Sequence, residues 1–333
     1  MSIARGFPPP PNPPSFEVQM SCRPSVFVLL AGLLANDVHA AAGCRFADLP
    51  AGADTADAGR WVTAEATAPG LHRRIIDSAA VGASAGYHVL LPPGYADEPS
   101  RRFPVLYWLH GTGGGLAGLP RVAGRFEAAM RAGDLPPMIV VFPYGLPSGM
   151  WVDSKDGGSR VESLLIGDLI PHVDACYRTV AAREGRILEG YSMGGYGVAR
   201  LGFRHPQLFA GVMMLAAGPL QRELYETPRA SAAERARLMQ QVYGDDMEFF
   251  RQQSPWQLAE RAVSAGAPLP RLRLIVGTGD ETYPANRAFH QHLTRLGVEH
   301  EYIELPGVGH SLPAVWTALG GGSWGFYAEV LAP

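Results

Sequence analysis

The chain has 333 residues, 47% of them apolar and 18% charged, and its 28 basic and 31 acidic side chains leave a formal charge of −3. A disordered chain would be poorer in apolar residues and more strongly charged. The near-neutral balance gives neither nucleic acid nor an anionic membrane an electrostatic hold. Forty glycines and twenty-nine prolines indicate many tight turns, which suits an α/β domain better than a helix bundle.

Residues 1–19 contain Pro8 to Pro11, Pro13 and Pro14 and show no periodic apolar face. Met20 opens a different pattern: Arg23, an apolar stretch over 26–35, then Val38-His39-Ala40. A short basic segment, an apolar stretch of about 7–15 residues and a small-residue cut site make a secretory leader. The apolar stretch falls short of the roughly 20 residues that a spanning helix needs. The expected organisation is a leader region over 1–43, made of an N-terminal extension and a signal peptide that starts at Met20 and is cut near Ala40 or Gly43, and one domain over 44–333, secreted or periplasmic. A buried N-terminal helix is the alternative, but the stretch has no helical face. Cys22 leaves with such a leader, so Cys44 and Cys176 remain as a pair that an oxidising compartment would join. Lipidation at Cys44 is the rival. Ala42-Gly43-Cys44 ends like a lipobox, although Ala41 and Asp37 spoil the pattern.

Strand-like and helix-like runs then alternate. Residues 87–91 end at Pro92-Pro93-Gly94, a turn signal. Residues 105–109 and 138–142 are short continuous apolar runs, as buried parallel strands should be. Residues 186–188 before a glycine-rich corner, 212–215 and 272–276 read as further strands, and 301–305 as an alternating run. Ala285, Phe289, Leu293 and Leu296 repeat at helical spacing, with Pro284 before them and Gly297 after. Strands alternating with helices predict a mainly parallel sheet covered on both faces. Residues 225–253, rich in charge and helix formers, read as a helical insertion over the sheet edge. No internal repeat is visible, and no stretch after residue 60 reads as a linker.

Four loops carry chemistry. Gly190-Tyr191-Ser192-Met193-Gly194 fits the nucleophile elbow Gly-x-Ser-x-Gly, in which small neighbours let a strained turn pack closely. In a glycine-rich chain the pattern alone is weak, but a strand-like run ends just before it and residues 196–204 continue as a helix. Glu189 is out of place at a buried strand end. A serine nucleophile needs a base, and the base an orienting acid. His310 lies in Pro306-Gly307-Val308-Gly309-His310-Ser311, after the run at 301–305. Asp280 lies in Gly277-Thr278-Gly279-Asp280-Glu281, after 272–276. The order Ser192, Asp280, His310 is that of α/β-hydrolases. Asp245 and Asp246 are rival acids, read here as inside a helix. The fourth loop, His110-Gly111-Thr112-Gly113-Gly114-Gly115, matches a glycine-rich oxyanion loop, so the Thr112 and Met193 amides are the expected oxyanion donors. Residues 113–118 also satisfy Gly-x-Gly-x-x-Gly. They start well past the strand, and Leu119-Pro120 is expected to interrupt the helix a pyrophosphate would need. No zinc spacing of His and Cys is present.

Taken with Pro92-Pro93-Gly94-Tyr95, Pro104 through Gly111, Leu169-Ile170-Pro171-His172-Val173-Asp174, Tyr177-Arg178-Thr179 and Ser254-Pro255, these motifs resemble the esterase D family of α/β-hydrolases. That family includes feruloyl, acetylxylan and enterochelin esterases, S-formylglutathione hydrolase and mycolyltransferases. The resemblance spans roughly residues 70–330. It implies a mainly parallel α/β sheet, a Ser192–His310–Asp280 triad, an acyl-enzyme route to ester hydrolysis, and no metal or cofactor. Two departures stand out: Glu189 replaces a small residue, and Leu312 stands where many relatives carry an aromatic beside the histidine. Tyr144, Trp151, Tyr191 and Trp316 are candidates to line a cleft for a small-molecule or polysaccharide-linked ester. Acyl transfer or thioester hydrolysis with the same triad, and a non-catalytic binding module on this scaffold, are the competing functions.

Overall fold

The strands are β1 Leu71–Ser78, β2 Ala83–Leu90, β3 Val105–Leu109, β4 Ile139–Pro143, β5 Arg186–Tyr191, β6 Gly211–Leu215, β7 Arg271–Gly277 and β8 Glu301–Leu305. They form one sheet in the order β1-β2-β4-β3-β5-β6-β7-β8. β1 and β2 pair antiparallel, as do β2 and β4, and every later pairing is parallel. The structure is a computed structural model that describes residues 59–332, all within the unit His39–Pro333. The expected leader, its cut site and Cys44 lie outside the described residues. Cys176 is disulfide-bonded.

The helices are α1 Leu119–Ala132, α2 Val161–Ser163, α3 Ile170–Cys176, α4 Met193–Arg204, α5 Ala232–Tyr243, α6 Met247–Gln253, α7 Pro255–Ser264, α8 Tyr283–Arg295, α9 Leu312–Leu319 and α10 Gly322–Val330. They cover both faces of the sheet, because alternate residues of a strand point to opposite sides. Val105, Tyr107 and Leu109 of β3 join a core with residues of α3, α4, α7 and α8. Leu106 and Trp108 join a second core with α1, α9 and α10. Every residue of β3, β4 and β6 is buried, which is why these strands are apolar without alternation. No helix among the described residues is long and apolar enough to cross a membrane.

Three expectations need correction. β1 escaped notice because Arg73 and Arg74 break its apolar run, and the strand seen at residues 87–91 belongs to its antiparallel hairpin with β2. Pro120 does not interrupt a helix. It sits in the first turn of α1, where a missing N–H costs nothing and the fixed φ is already helical. Asp245 and Asp246 are not within a helix either. Asp245 has φ 56 in the turn between α5 and α6, and Asp246 caps α6 by accepting from Glu248 and Phe249 N–H. The segment 225–253 does fold mainly as α5 and α6, between β6 and β7.

Candidate active site

β5 ends at Tyr191 and α4 begins at Met193, so Ser192 carries the reversal, at φ 57 and ψ −119. Such a backbone costs a serine about 1–3 kcal/mol and persists only where its surroundings hold it. Ser192 N–H donates to Leu215 O at 3.0 Å, and its carbonyl accepts from Tyr196 and Gly218 N–H, both at 3.0 Å. Close packing around the turn excludes a side chain at two positions. A Cβ on Gly190 would lie 2.3 Å from Gly194 O, and one on Gly194 would lie 1.9 Å from Leu109 O. The same approach brings the loop after β3 against the serine, where a Cβ on Gly111 would meet Ser192 Cβ at 3.2 Å.

Asp280 and His310 arrive from the neighbouring strands β7 and β8. Their loops are tied together: Gly279 N–H donates to Val308 O at 3.0 Å and Thr278 N–H to Leu305 O at 2.9 Å. Ser192 Oγ lies 2.9 Å from His310 Nε2, and His310 Nδ1 lies 2.7 Å from Asp280 Oδ2. With Nε2 accepting from the serine hydroxyl, Nδ1 holds the proton that donates to the carboxylate. Asp280 Oδ1 also accepts from Thr282 N–H at 2.7 Å. Burial pushes the Asp280 carboxyl up, but the bonds from His310 and Thr282 outweigh it and hold the group below its ordinary value. Tyr191 packs on the imidazole, with ring centroids 5.0 Å apart.

Ser192 and His310 open into a cleft of about 710 Å³. Thr112 and Met193 line it beside the serine. As the first residue of α4, Met193 has an N–H without a partner one turn earlier. Of the four aromatic candidates, Tyr191 and Trp316 line the cleft, as does Leu312. Trp151 and Tyr144 do not. Trp151 is fully buried, its indole filling the space over Gly145 and Gly197 and donating to His110 O at 3.3 Å. Tyr144 packs on Gly114 and His110 of the glycine-rich loop after β3. Position in the sequence near a motif did not reveal which way these rings face.

Several lining residues had no signal in the sequence, among them Leu224, Arg235 and Leu238 from the insertion and Arg121 from α1. His110 was also missed. Its Nε2 accepts from Gly145 N–H at 3.0 Å, and its Nδ1–H donates to Gly111 O at 2.7 Å. Burial pushes its pKa down to about 4, so the neutral ring acts as a brace for the loop that carries Thr112. Glu189 has the partner its position demanded. Tyr327 of α10 donates to its carboxylate, and burial pushes the carboxyl up to about 7 against the pull of Tyr327, Arg125 and Arg273. Among the described residues, no three His, Cys, Asp or Glu side chains gather where they could hold a metal ion.

Sheet order, elbow and loop placement together define an α/β-hydrolase. Residues 78–332 match the family model described as "Putative esterase", and the chain belongs to that family. The esterase Rv1288 of Mycobacterium tuberculosis is 29% identical over 265 residues, 70% of this chain and 54% of that protein. The chain thus spans about half the length of that relative. The endo-1,4-beta-xylanase/feruloyl esterase of Xylanibacter ruminicola is 32% identical over 152 residues, 43% of this chain and 21% of its own length. Among solved structures, a ferulic acid esterase has a TM-score of 0.65 at 21% identity, over 79% of this chain and 98% of that one. The fluorophosphonate-binding serine hydrolase F of Staphylococcus aureus also has 0.65, at 17% identity and the same coverage.

Proposed function

We propose that the chain is a serine esterase that hydrolyses carboxylic esters through an acyl-enzyme on Ser192. The observation that carries this reading is the unbroken series Asp280–His310–Ser192, with bonds of 2.7 and 2.9 Å, ending on a strained serine that lines the cleft. His310 Nε2 takes the hydroxyl proton as Oγ attacks the ester carbonyl carbon. The tetrahedral oxyanion forms against the amides of Thr112 and Met193. His310 then returns the proton to the leaving alcohol as the acyl-enzyme forms. Water, deprotonated by the same nitrogen, releases the acid and restores the serine. Asp280 keeps the imidazole in the tautomer this cycle needs. Membership of the esterase family and relatives named as esterase and feruloyl esterase support the same chemistry. The leader pattern over 20–43 supports an exported enzyme.

A fluorophosphonate probe should label the parent protein at Ser192 and leave Ser192→Ala unlabelled. The variant should lose nearly all turnover of acetyl and feruloyl esters while its far-UV circular dichroism stays as in the parent. Retention of near-parent turnover by Ser192→Ala would overturn the assignment. A parent protein inert to every ester and to the probe would favour a binding module instead.

A further inference from the structure

The cleft wall carries four arginines, Arg121, Arg229, Arg235 and Arg237, against one acid, Glu234. The chain as a whole has the opposite balance, 28 basic and 31 acidic side chains. Lys155 is the one lysine among the basic residues, but that preference for arginine does not account for a cleft nearly free of carboxylates. Among the described residues two carboxylates offset these cations in part. Glu234 accepts from Ser231 N–H at 2.7 Å in the cap of α5 and also feels the charge of Arg237, and Arg229 pairs with Glu281 at 2.8 Å. Among the described residues, Arg121, Arg235 and Arg237 have no carboxylate within ion-pair distance. Arg235 is held in place by Nη1, which donates to Thr227 O at 3.0 Å and to Ala230 O. The cations stand on two walls, Arg121 on α1 beyond the oxyanion loop and the others on the insertion, with Ser192 in the same cavity.

Unpaired guanidinium groups in a cleft concentrate anions there, and their planar fork fits a carboxylate with two parallel N–H bonds. We propose that the preferred substrate is an ester bearing a carboxylate besides its scissile bond, held by Arg121 and the insertion arginines with its ester carbonyl at Ser192. This rests on the serine-esterase reading above.

Matched pairs of esters test it and locate the charge. On the acyl side, p-nitrophenyl hydrogen adipate is compared with p-nitrophenyl hexanoate. On the alcohol side, 4-acetoxybenzoate is compared with its methyl ester, following acetate release. The anionic member should exceed its neutral partner in kcat/KM by about 10-fold in at least one pair at low salt. That ratio should shrink towards one in about 0.5 M sodium chloride. Arg121→Gln with Arg237→Gln, both exposed in the parent, should collapse the ratio. Arg251→Gln on α6, whose partner is Glu223, should keep it. Ratios at or below one in both pairs, or a ratio unmoved in the double variant, would overturn the proposal while leaving esterase chemistry intact. A protein that cleaves none of the four esters and takes no fluorophosphonate would instead remove the serine-esterase reading, and this inference with it.

Discussion

Two aspartates illustrate how much a single carboxylate's surroundings decide. Asp280 is buried and accepts from His310 Nδ1 and Thr282 N–H. Asp246 caps α6 and reaches Lys155 Nζ at 2.6 Å on the surface. Asp280→Asn should lower kcat by about 10⁴-fold, as in serine proteases, because an amide can hold the imidazole in the wrong tautomer. Asp246→Asn keeps a capping oxygen and touches nothing in the cleft, so its kcat should equal the parent's. Steady-state kinetics of the two variants decides between the acids. Loss of turnover in Asp246→Asn alone would sink the assignment of Asp280.

At the scale of elements, α4 has to be held rigidly, since the elbow is its first turn. Its Arg200 is completely buried. It pairs with Glu162 of α2 at 2.7 Å, donates to Trp151 O at 2.6 Å and to Gln253 Oε1 of α6 at 2.9 Å. Glu162 also takes Arg204 at 2.8 Å and His205 at 2.7 Å. Burial opposes the Glu162 charge, but Arg200, Arg204 and the bond to His205 overcome it and hold the carboxyl at about 2. Removing one partner leaves a buried charge uncompensated. Glu162→Gln should therefore cost about 3–5 kcal/mol of stability, measured as a lower urea midpoint. An unchanged midpoint would show that the cluster contributes nothing to holding α4.

The whole molecule should respond to acid through its buried histidines. His88 Nε2 accepts from Ala66 N–H at 3.1 Å and His110 Nε2 from Gly145 N–H at 3.0 Å, and protonation breaks either bond. Burial pushes both pKa values down to about 4. Burial does the same to His172. The unfolded chain, titrating near 6.5, then binds more protons than the folded one between about pH 6.5 and 4. Stability is complete above that window and falls as the pH drops through it, by about 3 kcal/mol each for His88 and His110. Glu189 acts with the opposite sign. Its folded value of about 7 lies above the ordinary carboxylate range, so its contribution is complete below about pH 4.5 and is lost as the pH rises through 7. Tyr327, Arg125, Arg273 and Trp108 face it and already oppose its rise. The histidines outnumber it. Thermal melts should show a midpoint that falls from pH 7 to pH 5, and falls more steeply in Glu189→Gln. A flat midpoint across that interval, or a shallower one in the variant, would contradict this balance.

Features that depend on neighbouring residues are legible in the chain. β3, β4 and β6 are legible because a strand buried on both faces is apolar throughout, and β5, β7 and β8 from shorter or interrupted apolar runs that end at glycine or proline. The Ser192 turn is legible because a strained reversal between strand and helix demands small residues on both sides. Asp280 and His310 could be picked out because each follows such a strand on a glycine-rich loop. Whatever depends on residues far apart in the chain is set by packing. Glu189 meets Tyr327 across 138 positions. Trp151 turns into the core because Gly145 and Gly197 leave it room there. β1 survives two arginines because β2 pairs with its whole length. The arginines of the insertion share a cavity with Ser192 because the chain between β6 and β7 folds over that end of the sheet. Local rules set how the backbone bends at each point, but which side chains then meet depends on how the sheet stacks its strands and helices, and no short stretch of sequence records that.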